Sequence, residues 1–136
     1  MKHASYIVLL CLLLIICKSA TETESKAFLT TVWTLESLNI EGEIVKPPDG
    51  QLYTIQFKKD STFTGKNDCN DIFGEYEIKS NNSLVIFKVG GSKANCPNSM
   101  FLTYLDAIRS AKSYKIEKNR LYIYYRNNSI LIFTDK

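Results

Sequence analysis

The stretch Gly65-Lys66-Asn67-Asp68-Cys69-Asn70-Asp71-Ile72-Phe73-Gly74-Glu75-Tyr76 restricts the fold of this chain more than any other, because it packs turn chemistry between two alternating runs. Asn and Asp side chains bond their own backbone in place of a ladder, and Gly65 and Gly74 permit φ values that other residues resist. The spacing therefore predicts a fixed irregular connection over 65–76. Residues before it read as hairpin strands; residues after it complete a sheet and add one helix.

Residues 31–38 alternate, with Trp33 and Leu35 on one face and Thr34 and Glu36 on the other, and read as a half-buried strand in which Trp33 is a core anchor. A short strand is expected at 43–45, before Pro47-Pro48 forbids a central one. Tyr53, Ile55 and Phe57 share a face, Lys58-Lys59-Asp60-Ser61 turns, and 62–65 returns as the hairpin partner. After a strand at 75–79, Leu84-Val85-Ile86-Phe87 is apolar on both faces, so it should be covered on both sides. Helical spacing comes next at Phe101, Leu105 and Ile108, widened by Leu102, within 100–110; Pro97, Asn98 and Ser99 are its start signals. Strands at 113–116, 121–125 and 130–133 close the chain. The sum is an α+β domain of about eight short strands in one curved antiparallel sheet with one packed helix.

A chain of 136 residues suits one domain. Lys2 and His3 precede an apolar run over residues 5–17 that stops at Lys18, shorter than the roughly 20 residues of a membrane span, so 1–17 reads as a secretory signal. Two outcomes are open. Leu14-Ile15-Ile16-Cys17 can serve as a lipobox that leaves Cys17 acylated, although Ile16 stands where a small residue is usual; alternatively, cleavage near Cys17-Lys18-Ser19 releases the protein. Polar residues 18–27 then form a flexible tether to a domain spanning 28–136. The expected location is the cell envelope, as an outer-membrane lipoprotein, with a periplasmic or secreted form as the alternative.

Of 17 Lys and Arg, Lys2 lies in the signal, and the rest intersperse with 14 acidic residues without a basic run, so no nucleic-acid partner is expected. Cys69 and Cys96 are the two cysteines of the domain. In an exported chain they suggest one disulfide; the other reading is two buried thiols.

The single histidine, His3, lies in the signal, which removes Ser-His-Asp, Cys-His and histidine-zinc chemistry from the mature domain. Asp68, Asp71 and Glu75, clustered with Asn70, hint at calcium, but Ile72 stands where an oxygen ligand is needed and Gly74 falls one residue late. Asp60, Asp68, Asp71 and Glu75 could supply an acid and a base, yet nothing in their spacing puts two in one apolar pocket. No catalytic residue, metal or cofactor is assigned. Tyr104, Tyr114, Tyr122, Tyr124 and Tyr125 favour an interaction surface, since tyrosine is enriched at interfaces when it is not core.

These blocks together resemble the META domain, the family of HslJ-like heat-inducible envelope proteins and related lipoproteins. Trp33-Thr34-Leu35 is similar to its opening W-x-L, and Gly65, Cys69, Asn70, Gly74 and Tyr76 to its G-x-x-x-C-N-x-x-x-G-x-Y signature. Cys96 sits where the family has its second cysteine. Phe101-Leu102-Thr103-Tyr104-Leu105, Tyr114, Leu121-Tyr122-Ile123 and Leu131-Ile132-Phe133 match the later blocks. The chain departs from the pattern at Ser92-Lys93-Ala94-Asn95, where Thr and Met are usual, and at Asp68, where Gly is. The resemblance implies a half-barrel shaped like secretion pilot lipoproteins, an envelope role tied to stress or drug tolerance, and no catalysis. A monomer is expected, whose partner is an unknown protein or, in the alternative reading, a lipid or hydrophobic peptide lodged between helix and sheet.

Overall fold

A computed structural model describes residues 22–136; the signal segment 1–17, with Cys17, lies outside the described residues. The described chain begins in a helix, α1 (22–30), followed by β1 (Trp33–Ile40), β2 (Glu43–Val45), β3 (Tyr53–Phe57), β4 (Thr62–Asn67), β5 (Asn70–Lys79) and β6 (Ser83–Gly91). Then come α2 (Phe101–Arg109), β7 (Ala111–Glu117), β8 (Arg120–Tyr125) and β9 (Ser129–Thr134). All nine strands lie in one antiparallel sheet, ordered β2-β1-β3-β4-β5-β6-β7-β8-β9, and β9 also pairs with β1. The sheet curls round a single core but stays open along β6 and β7, which share only the pair Ser83 and Ser113. The α+β class and the curved antiparallel sheet are those expected.

The stretch 65–76 is not an irregular connection. It is a continuous hairpin, paired from Thr62 with Glu75 down to Asn67 with Asn70, around the two-residue turn Asp68-Cys69 in which Asp68 takes φ +59°. Neither Gly65 nor Gly74 adopts a positive φ. They are glycines because the backbones approach closely: a Cβ at Gly65 would overlap the Thr54 carbonyl, and one at Gly74 would lie 2.6 Å from the Phe63 ring. Tight curvature, not turn geometry, demands them.

Alternation sends Trp33, Leu35, Tyr53, Ile55, Phe57, Phe63, Ile72, Tyr76, Leu84, Leu121, Ile123, Leu131 and Phe133 inward, where all are buried. A curled sheet has two mouths, and each receives a helix. At one, α1 inserts Phe28, stacked on Phe57 with ring centres 4.3 Å apart and flanked by Tyr114 at 4.4 Å and Tyr76 at 5.9 Å. Residues 22–27, part of the tether expected over 18–27, are the earlier part of this helix; 22–26 are exposed, and the helix meets the domain at Phe28, which is 1% exposed.

The other mouth takes α2. Tyr104, Leu105, Ala107 and Ile108 are buried, whereas Leu102, expected in the apolar stripe, is 75% exposed. The Tyr104 hydroxyl donates to the Thr54 carbonyl at 3.1 Å. Ser99 supplies the start signal, its Oγ accepting from the Phe101 N–H at 3.1 Å, while the Tyr53 hydroxyl accepts from Met100 N–H at 3.0 Å.

Phe28→Ala is expected to destabilise the domain by about 3–5 kcal/mol in urea unfolding, as a core aromatic does; a loose α1 would make it neutral. Burial raises the Tyr104 pKa above the ordinary 10.0, and likewise those of Tyr76, Tyr114 and Tyr125. Unfolded tyrosines release protons near pH 10 while these hold theirs, so stability is whole below about pH 9 and falls as pH rises beyond 10. Urea midpoints across alkaline pH should show this fall, and Tyr104→Phe should reduce its slope.

Candidate functional site

The β4–β5 turn and the loop from β6 to α2 meet at Asn70, whose buried side chain behaves as an extra rung of sheet. Its Oδ1 accepts from Ala94 N–H at 2.7 Å and from the Ser92 hydroxyl at 3.1 Å, and its Nδ2 donates to the Ala94 carbonyl at 3.1 Å. The Asp71 N–H donates to Ser92 Oγ at 3.0 Å, and Ser92 N–H to the Asp71 carbonyl at 3.1 Å, so the loop is gripped at adjoining points. Beside this clip a disulfide joins Cys69 to Cys96, with Cα atoms 6.0 Å apart and a sequence separation of 27. Asn70 Nδ2 also lies 3.1 Å from Cys96 Sγ.

Asn67, at the other shoulder of the same turn, is fully buried and donates through Nδ2 to the Phe101 carbonyl at 3.2 Å. The turn thus holds both the loop through Asn70 and the start of α2 through Asn67. Sequence reasoning singled out Asn70 and missed Asn67; the symmetric placing of two asparagines around Asp68-Cys69 was the available signal.

The acidic residues do not converge. Asp71 pairs with Lys66 at 2.6 Å and Glu75 with Lys88 at 2.9 Å on the outer sheet face. Asp60 sits in the β3–β4 turn, bonded by the Thr62 hydroxyl at 2.6 Å, which holds its carboxyl below the usual range. Asp68 alone of the four approaches the sulfurs: its carboxylate and the sulfurs of Cys69 and Cys96 lie within 4.8 Å of one another. Trp33 and Tyr76 are framework residues, the latter donating its hydroxyl to the Lys58 carbonyl at 2.6 Å.

Two hollows flank α2. One, of about 380 Å³, is lined by Ile40, Leu102, Tyr125, Ser129 and the Asp106–Arg126 ion pair; the other, of about 470 Å³, by Asn70, Cys96, Met100, Leu102 and Thr103. Both mix polar with apolar walls. The buried side of α2 fills the space beneath it, so the apolar cleft that a lodged acyl chain would require is occupied by Tyr104, Leu105 and Ile108.

The outer sheet face is different. Val85 and Phe87 were expected to be covered on both sides of β6, but only Leu84 and Ile86 are buried; Val85 is 39% and Phe87 38% exposed. Phe73, 55% exposed, lies across Gly90, where a Cβ would come within 2.8 Å of its ring. Register places Glu77 opposite Val85 and Glu75 opposite Phe87, so these residues share one outward face. On β8 the inner residues Leu121, Ile123 and Tyr125 are core, and Tyr122 and Tyr124 face outward opposite Ile132 and Ile130.

Asn70→Ala should cost about 2–3 kcal/mol, since it removes several bonds made by one buried amide. Amide exchange at Ala94 should quicken in this variant and stay slow in the wild-type chain whose disulfide has been reduced, because the clip does not need the sulfur bond.

The META domain family model matches residues 26–136. The solved structures similar to this chain include an NMR structure of a protein from Burkholderia xenovorans, 19% identical, covering 82% of this chain and 85% of that one, with a TM-score of 0.68. A crystal structure of a DUF4847 family protein from Bacteroides vulgatus is 17% identical, covers 82% of this chain and 96% of that one, and gives a TM-score of 0.60. No curated protein matches the chain. With signature residues Gly65, Cys69, Asn70, Gly74 and Tyr76 placed in one hairpin and the family match spanning the sheet and both its plugs, the chain belongs to the META domain family.

Proposed function

We propose that this chain is a non-catalytic, envelope-associated interaction module, serving under envelope stress and tethered through Cys17 or released by cleavage beside it. The observation that carries this reading is the uncovered aromatic face of β5 and β6. Phe73, Val85 and Phe87 stand outward in a sheet whose interior is already full, and aromatic side chains exposed next to charged ones, here Glu75 and Lys88, are the composition of a contact surface. The scattered carboxylates and the filled space beneath α2 favour neither hydrolysis nor lipid binding.

The test has two parts in cells that make the protein. Intact mass of membrane and soluble fractions should reveal an acylated species beginning at Cys17, or a released one beginning just after it; a mass that retains residues 1–17 would sink the exported reading. A photoreactive phenylalanine analogue placed at Phe73 or Phe87 should cross-link to a discrete partner, and the same analogue at Leu102 should not. No cross-link from either sheet position would sink the module reading at this face.

A further inference from the structure

We propose that the reduced chain binds one zinc ion between the thiolates of Cys69 and Cys96 and the carboxylate of Asp68, at the tip of the β4–β5 hairpin. With the disulfide closed, an Asp68 carboxylate oxygen and the two bonded sulfurs lie within 4.8 Å of one another, so reduction would free both sulfurs beside the carboxylate. Their identities suit the metal: zinc takes thiolate and carboxylate oxygen in tetrahedral sites, and three protein ligands leave a fourth position for water, which the exposed side of Cys69 admits. The Asp68 carboxylate is half-buried yet makes no hydrogen bond or ion pair among the described residues, unlike Asp60, Asp71 and Glu75, which each have a partner. The left-handed turn at Asp68 places it beside the sulfurs.

Most cysteine pairs drift apart once their bond is cut. Here Asn70 keeps its grip on Ala94 and Ser92 without the disulfide, and Asn67 keeps hold of α2, so both Cα atoms stay near their 6.0 Å separation. With Zn–S bonds of about 2.3 Å, the sulfurs need to part only to roughly 3.8 Å across a tetrahedral ion, which side-chain rotation supplies. Asn70 Nδ2, 3.1 Å from Cys96 Sγ, donates to that sulfur and favours its thiolate.

The chemistry balances with a dithiol reductant. It gives two electrons and two protons to the Cys69–Cys96 bond, which breaks to two thiols while the reductant closes its own disulfide. Zinc then displaces two protons from the new thiols; in the return step a small-molecule disulfide takes two electrons from the thiolate pair and leaves as its own two thiolates, so that the Cys69–Cys96 bond re-forms and the ion is released. The hairpin tip thus has two exclusive states, a covalent bridge and a metal bridge.

The test uses the full chain in detergent carrying Cys11→Ser and Cys17→Ser, so that only Cys69 and Cys96 supply sulfur. After anaerobic reduction with a phosphine, cobalt(II) serves as the probe. A near-ultraviolet thiolate-to-cobalt band that saturates at one equivalent and is abolished by zinc is the expected result, with none in the oxidised chain. Asp68→Asn should weaken cobalt binding at least about tenfold, since even an outer-shell partner of a metal costs that much. Circular dichroism follows the fold throughout. No band in a reduced chain that remains folded overturns the proposal, as does a reduced chain that unfolds, because the clip is its premise. Unchanged affinity in Asp68→Asn overturns the carboxylate's part.

Discussion

The contact between Gly65 and the Thr54 carbonyl is the constraint on which the rest of this structure depends. Gly65 opposes Ile55 across the β3–β4 pair, and the backbones come so close there that a methyl group could not be added. At the neighbouring rung, Lys66 N–H donates to the Thr54 hydroxyl at 3.0 Å. The Thr54 carbonyl accepts the buried Tyr104 hydroxyl, which ties α2 into the mouth of the sheet. A buried hydroxyl without a partner costs about 1–3 kcal/mol, so the same carbonyl that forbids a side chain at 65 makes a tyrosine acceptable at 104. Curvature and plug are therefore one design. A flatter sheet would have no mouth to fill, and a curled one without its plugs would leave core aromatics wet.

The signature hairpin continues this logic outward. Its two strands supply inner residues Phe63, Ile72 and Tyr76 to the core, and its tip supplies side chains that bind backbone elsewhere. Because Asn70 contacts Ala94 through backbone atoms, the identity of residue 94 hardly matters, and the departure of this chain from the family pattern at 92–95 leaves the clip intact. Ser92 takes part through its hydroxyl, a role open to another small hydroxylated residue. The tip is consequently fixed twice, since one amide and one sulfur bridge act on the same loop.

Most of the sheet was legible because period-two alternation is a local property. Tyr53, Ile55 and Phe57 declare their face without help from any other part of the chain, and so do Leu121 and Ile123. Three readings failed for lack of non-local information. The glycines of the signature read as turn formers, since close approach to Thr54 is visible only once β3 is in place. The helix that carries Phe28 begins in the polar run ahead of it and owes its position to Phe57, Tyr76 and Tyr114, contacts far off in sequence. Val85 and Phe87 looked like the outer half of a doubly covered strand, and sequence alone could not say that both helices are spent on the mouths.

That allocation bears on function. The described part of the chain has two α-helices, and closing the ends of a curled sheet uses both, which leaves neither for its outer surface. Such a surface is tolerable if polar. On β5 it is largely so, with Asp71, Glu75 and Glu77 between the aromatic positions, but Phe73 is laid across Gly90 and the Phe87 ring beneath Lys88, whose ammonium is 5.8 Å from its centre. The Phe73 ring rests over Gly90, within 2.8 Å of where a Cβ would stand, so a side chain at 90 would displace it from this position. An aromatic already resting on backbone loses less entropy on being covered than a free one, and this supports the contact surface proposed for this face.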